Sequence, residues 1–256
     1  MLYMGKEPIK IKMSLAYAWP LIAILFFTAV LHASFQLGVS LLTILSSHSL
    51  GSQRSHTQLL KLNIAYVSGV GFITTLIFAS LAYTAASLTY PREPLIWWIV
   101  VASLNLGIGL AVSFFYYRKG KGTELWLPRK FAQYLAARTK KTHHSAEAFG
   151  LGMASVICEL LFIIGPLSVA ALYSIRYPPP YQLVGLIFYV IVALLPLLVI
   201  VAMIGAGQKV STIQRWRERN KRFLQYAAGS GLIILGLYLF IAEVVTVLAL
   251  DGATII

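Results

Sequence analysis

Two carboxylates fall inside long apolar runs, Glu159 and Glu243. A carboxylate at the centre of a membrane helix costs about 2.5–3.5 kcal/mol even on insertion scales. Such a group needs a proton, a cation or a hydrogen-bonding neighbour. Around Glu159, helical spacing puts Gly152, Ser155, Glu159, Phe162 and Pro166 on one face. Gly165-Pro166 then weakens the backbone ladder and is expected to free carbonyls near the carboxylate. This pattern points to a proton- or cation-binding site. The plainer reading is a protonated Glu hydrogen-bonded to a neighbouring helix as packing glue. Glu243 sits in the last third of the final run, with Gly236 and Gly229 behind it at steps of seven. It is as well placed to reach water at the outer interface as to bind an ion.

The first run supplies a complementary stripe: His32, Gln36, Ser40, Thr43 and Ser47 follow one another at helical spacing. Lipid-facing polar groups are costly, so the stripe is expected to face protein or a water-filled path. His32 brings an imidazole, a group that changes charge near neutral pH. Asn105, Gly109 and Ser113 make a weaker stripe of the same kind. Ser and Thr often satisfy their own helix backbone, which would silence part of either stripe. The expected substrate- or ion-binding residues are therefore Glu159, Ser155, His32, Gln36, Ser40, Thr43, Asn105 and Glu243.

Other chemistry is sparse. There is no HExxH, GxSxG or P-loop, and no enzyme activity or cofactor is expected. The single cysteine, Cys158, reads as a small buried hydrophobe. His143-His144 lacks a third ligand at metal spacing and reads as a solvated pair. The glycines of GVGF (69–72) and GIG (107–109) read as packing positions. Trp97, Trp98, Tyr116 and Tyr117 fit aromatic belts at the membrane interfaces.

The elements that must hold these residues follow from composition. Of 256 residues, 59% are hydrophobic and 11% charged, against roughly 25% charged in a soluble domain. A disordered chain and a soluble nucleic-acid module are excluded, and a polytopic membrane protein remains. Crossing the hydrocarbon takes roughly 20 apolar residues as a helix. Six runs qualify, at about 15–46, 62–88, 95–117, 147–172, 183–205 and 223–249. The fold class is all-α.

Charge sets the orientation. Loops 47–61, 118–146 and 206–222 hold sixteen of the 21 Lys and Arg, while the turns at 90–94 and 175–182 hold one Arg each. The positive-inside rule makes the three basic loops cytoplasmic, so the +13 net charge is mostly a topology signal and does not require nucleic acid. Six crossings put both termini outside, against the basic tail with Lys6, Lys10 and Lys12. Seven crossings, with 15–31 and 34–48 as a hairpin, would bring the N-terminus inside. The turn at His32, Ala33 and Ser34 has no Gly or Pro, which favours one long, tilted or broken helix after a short interfacial segment. No cleavable signal peptide is expected. Segment 125–138, with Leu127, Phe131 and Leu135 on one face, reads as an interfacial helix on the anionic leaflet, or else as a surface that docks a protein partner.

The plan of three runs with a basic loop and a short outer turn occurs twice, in halves 15–117 and 147–249 joined by loop 118–146. Ala33-Ser34-Phe35-Gln36-Leu37-Gly38 echoes Glu147-Ala148-Phe149-Gly150-Leu151-Gly152. Three spans per unit make the units opposite in orientation, a 3+3 inverted repeat with any site near the midplane between them. The chain resembles the LysE-type exporters and their wider relatives, the CcdA/DsbD thiol-electron carriers and MntP-like manganese exporters. The resemblance rests on LLTILSSHSLGSQRS (41–55) and on AFGLGMASVICELLFIIGPL (148–167). It implies a six-helix transporter fold in a prokaryotic cytoplasmic membrane. The chain departs from CcdA-type carriers in having Ile44 where a first-half cysteine would match Cys158, and it lacks the LysE-type Pro-Gly-Pro.

Two functions are consistent with these features. One is a small proton- or cation-coupled transporter of an ion or small molecule, with Glu159 as coupling site. The other is a non-transporting subunit or assembly factor that docks a protein through loop 118–146. A second copy of the chain is a further candidate partner.

Overall fold

The computed structural model describes residues 15–35, 37–49, 56–89, 94–115, 129–208 and 211–253. The N-terminal lysines, Gln36, Arg54, Tyr116, Tyr117, Leu127 and Lys209 lie outside the described residues, as do the side chains of Ser47 and Phe131.

The helices are α1 (Leu15–Ser34), α2 (Leu37–Ser49), α3 (His56–Thr89), α4 (Leu95–Phe115), α5 (Arg129–Lys141), α6 (Ser145–Ile175), α7 (Pro179–Gly205), α8 (Ser211–Arg219), α9 (Lys221–Leu239) and α10 (Thr246–Ala253). A π-helical turn, Phe240–Val245, joins α9 to α10. No strand occurs among the described residues. Five helices are long and apolar enough to cross a bilayer: α3, α4, α6, α7 and the α9–α10 rod. The pair α1–α2 makes a sixth crossing if taken as one span, bent by 52°. A bend of that size is far from the reversal a hairpin needs. Large apolar side chains such as Phe114, Leu161, Phe223 and Val184 stand exposed on the outside of the bundle, as a hydrocarbon solvent permits. The chain has the build of an integral membrane protein.

Local signals explain the helix ends. Pro178 precedes α7, whose first turn carries further prolines where no intrahelical donor is needed. At the start of α6, the Glu147 carboxylate reaches back to the His143 N–H at 3.4 Å. Helix α3 begins six residues before its apolar run, and His56 there contacts the Ile204 carbonyl at the end of α7 at 3.0 Å.

Helix α6 is the hub, packing on α1, α2, α3, α4, α5 and α7. Small residues set the closest crossings. A Cβ on Gly69 would strike the Phe149 backbone, and one on Gly152 would strike the Tyr66 backbone, so α3 and α6 touch main chain to main chain. Between α4 and α9 the relation is reciprocal. Gly109 lies against the Gly229 carbonyl and Ile233, while Gly236 lies against the Ala102 carbonyl and Leu106. Of the two GIG glycines only Gly109 packs, because Gly107 faces open space.

The pairing of spans has a symmetry of its own. Exchange α1–α2, α3 and α4 with α6, α7 and α9, and the contacts map onto one another. The α1–α7 contact becomes α6–α3, α1–α9 becomes α6–α4, and α2–α3 becomes α6–α7. The α1–α6, α3–α7 and α4–α9 contacts map onto themselves. Neither α3–α4 nor α7–α9, though each pair is consecutive in the membrane, forms an appreciable contact among the described residues. Helices α5 and α8 both pack on α2, which gathers the basic connections at one end of the bundle.

Candidate functional site: a carboxylate at a broken helix

Helix α1 ends where Phe35 N–H bonds back to the His32 carbonyl at 3.2 Å and the Ser34 hydroxyl takes the Leu31 carbonyl at 2.6 Å. The chain then turns and α2 begins. A new helix start leaves backbone N–H groups without intrahelical acceptors. In a dry interior each must find a partner or cost a desolvation penalty. Glu159 provides one: Gly38 N–H donates to its Oε1 at 3.0 Å. The carboxylate therefore stands at the positive end of α2, the favourable end of the helix dipole for an anion. It is 3% exposed.

Three further groups surround it. The Tyr66 hydroxyl, on α3, lies against Gly38 and beside Ser155 and Glu159. It is fully buried, with the Ser155 hydroxyl as its polar neighbour. Ser155, one turn before Glu159, gives its hydroxyl to the Gly152 carbonyl at 2.7 Å. Arg217 of α8 places Nη1 3.5 Å from Ser40 Oγ and acts electrostatically on Glu159. The structure thus assembles Glu159, Ser155 and Ser40 with Gly38, Tyr66 and Arg217, the last three not anticipated from sequence.

Helix α6 keeps its helical course through Pro166, and because proline has no N–H the Phe162 carbonyl one turn earlier loses its intrahelical donor; the backbone group that reaches Glu159 itself is the Gly38 N–H of α2. The expected first-run stripe is not one continuous face. The break at Phe35 divides it, leaving His32 on α1 and Ser40 and Thr43 on α2. Gln36 lies outside the described residues. His32 is buried and its Nδ1 is 3.0 Å from the Tyr189 hydroxyl on α7. Thr43 turns its hydroxyl to its own helix, onto the Ser40 carbonyl at 2.7 Å. Asn105 donates to the Val101 carbonyl at 2.8 Å and sets its unpartnered Oδ1 against Gly165, about 9 Å further along α6 than Glu159 by helical rise.

Glu243 belongs to a separate cluster. Arg176 grips it with two nitrogens, Nη1 to Oε1 at 2.9 Å and Nη2 to Oε2 at 2.8 Å, and the Tyr173 hydroxyl donates to Oε1 at 2.6 Å. The guanidinium carbon sits 4.4 Å from the Trp98 ring centroid and 5.0 Å from that of Tyr173. Trp98 is buried, so it has a packing role beyond an interfacial belt. The clamp ties the end of α6 to the start of α4 and to the π-helical turn. In sequence Arg176 stood only as the lone charge of an outer turn.

No family model, curated protein or solved structure matches this chain.

The remaining candidates are plain in context. His143 and His144 are exposed, and no group of three His, Cys, Asp or Glu among the described residues could hold a metal. Cys158 is a half-buried free thiol. In α5, Leu135 and Thr139 are buried where the helix meets α2 and α6, so this face docks on the bundle and does not lie open to the leaflet. Gln225 of α9, also unanticipated, donates to the Val112 and Ser113 carbonyls at 2.8 and 3.0 Å and so caps α4.

Proposed function

We propose that this protein is a small secondary transporter that moves an ion or small molecule with proton or cation coupling, and that Glu159 is its coupling group. The observation that carries the reading is the Glu159 carboxylate at the break between α1 and α2. A continuous helix would satisfy its own backbone and leave such a carboxylate without purpose. A break in mid-membrane exposes fixed polar groups at low dielectric, where a single charge change is felt strongly. Protonation or cation binding at Glu159 removes the anion that α2 is built around, and the angle between α1 and α2 is free to change.

The contact symmetry supports a 3+3 inverted repeat relating α1–α4 to α6–α9. In that arrangement α1–α6 crosses at the pseudo-axis, and the coupling group lies at this crossing. In sequence, the short echo of 33–38 in 147–152 is weaker support than the reciprocal Gly109 and Gly236 contacts. The bundle is then closed to both sides at Glu159, and transport proceeds by rocking one unit against the other. By the charge rule, the end carrying α5 and α8 is cytoplasmic.

A second reading, a non-transporting subunit, is favoured by one feature. An apolar groove of about 380 Å³ opens between α1 and α9, lined by Pro20, Ile24, Phe27, Ile234, Leu235 and Tyr238. A partner helix could lie there. The experiment that separates the readings uses purified protein in liposomes with a trapped pH dye, challenged in turn with alkali cations, divalent cations and amino acids. A solute-dependent pH change supports transport. Silence across the panel from folded, oriented protein, with a membrane partner co-purifying, supports the subunit.

A further inference from the structure

Helix α8 is short and strongly basic, and its cations do not all behave alike. Arg215 and Arg219 are exposed, whereas Arg217 is half-buried and turned toward the bundle. Long cationic side chains near a membrane surface ordinarily extend outward to water and headgroups. Arg217 instead brings Nη1 to Ser40 Oγ at 3.5 Å, in the first turn of α2. Gly38, two residues earlier, holds Glu159. Guanidinium, Ser40, the start of α2 and the carboxylate therefore form one file from the basic end of the bundle into its core.

We propose that Arg217 is the plug on the basic face of the Glu159 site and its resting countercharge, and that the ligand this site takes is a cation which displaces the guanidinium. The proposal rests on the transporter reading and specifies its ligand class. Charge at low dielectric selects the ligand. Guanidinium is never deprotonated in proteins, so in the closed state it offsets one carboxylate across a short path. Entry of an anion would leave two negative charges against one positive charge in a dry site. Entry of a neutral solute would give Arg217 no reason to leave. A proton or a small metal cation at Glu159 substitutes charge for charge, and the guanidinium is then better solvated outside. Its departure takes α8 off α2 and uncovers the site toward the basic face. The ionisable groups that act on Glu159 or feel its charge are Arg217, Tyr66 and Cys158, and Glu218, next to Arg217 on α8, is exposed.

The test reads accessibility and needs no transport. With Cys158→Ala removing the native thiol, Ser155→Cys places a reporter one turn from Glu159 on the side of the basic face. A charged, water-soluble methanethiosulfonate is applied to that face in vesicles, and labelling is followed with Arg217 intact, with Arg217→Lys and with Arg217→Ala. All variants must first elute as monodisperse protein. The expected result is slow labelling with Arg217, at least tenfold faster labelling with Arg217→Ala, and an intermediate rate with Arg217→Lys. Equal rates for Arg217 and Arg217→Ala overturn the plug. For the ligand class, the ratio of the labelling rate of the Arg217 protein to that of Arg217→Ala under the same conditions, which cancels the thiolate's own pH dependence, is compared in sodium chloride, potassium chloride and choline chloride, and across pH 5 to 8. A rise of that ratio with a metal cation or with acid supports cation displacement. An unchanged ratio, with Arg217→Ala still the faster, overturns the cation assignment and leaves the plug standing. A protein that labels as expected yet moves no solute in the liposome assay contradicts the transporter reading alone.

Discussion

The main-chain N–H of Gly38 donates to the Glu159 carboxylate at 3.0 Å, joining a helix start on α2 to the middle of α6 across 121 residues of sequence. One bond answers two costs: unsatisfied donors at a helix N-terminus and a carboxylate inside a membrane bundle. Glu159→Ala removes the acceptor and leaves buried N–H groups, at about 1–3 kcal/mol. Glu159→Gln keeps an oxygen to accept the bond and loses only charge, so its melting temperature in detergent should lie between those of Glu159→Ala and wild type. Equal melting of the two variants would mean that the bond does not hold α2.

The glycines make a sharper set of stability tests. At Gly69 and Gly152 a methyl group meets facing backbone, which cannot rotate away. At Gly107 and Gly150 it meets nothing within 4 Å. Alanine at either of the first two should separate α3 from α6 and abolish monodisperse expression. Alanine at either of the second two should be neutral or gain about 0.5–1 kcal/mol from helix propensity. Gel filtration of the four variants decides, and tolerance of Gly152→Ala would mean that the crossing is looser than described.

For the Arg176–Glu243 clamp, exposure limits the effect. The Arg176 side chain is 32% exposed and that of Glu243 14%. A double-mutant cycle of Arg176→Ala and Glu243→Gln should return a coupling of about 1 kcal/mol, at the upper end for exposed pairs, and it should shrink in high salt. Zero coupling at low salt would contradict the bidentate contact.

His32 and Tyr189 form a pair apart from Glu159. Tyr189→Phe leaves a buried imidazole nitrogen unpartnered, costing about 1–3 kcal/mol, and solute-driven proton movement per folded molecule should be unchanged. Normal stability with lost flux would place His32 in the conduction path.

What the sequence made legible was what long-range averages report. Span positions followed from apolar length, and all six runs correspond to helical segments of the bundle. Glu159 stood out because charge in an apolar run needs no neighbours to be noticed. The overlong first run pointed to a tilted or broken helix, and the structure has it bent by 52° between α1 and α2; the position of the break was not legible, since Ser34 and Phe35 carry no breaking signal and only Gly38 nearby is unusual. A stripe drawn at helical spacing assumes an unbroken helix, so one turn at Phe35 was enough to part His32 from Ser40. Tyr66, Arg176 and Arg217 were missed because each acts through a partner far away in sequence. Tyrosine at a plausible packing position and arginine in a loop carry no local mark of that.

The account turns on whether Glu159 couples ion movement. The most direct measurement compares wild type and Glu159→Gln, reconstituted at equal density in liposomes with a trapped pH dye, on addition of the solutes that drive a pH change in wild type. The account requires that the signal fall to the level of empty liposomes in Glu159→Gln while the protein remains folded and oriented. An undiminished signal in that variant would contradict it and return Glu159 to a purely structural role as the cap of α2.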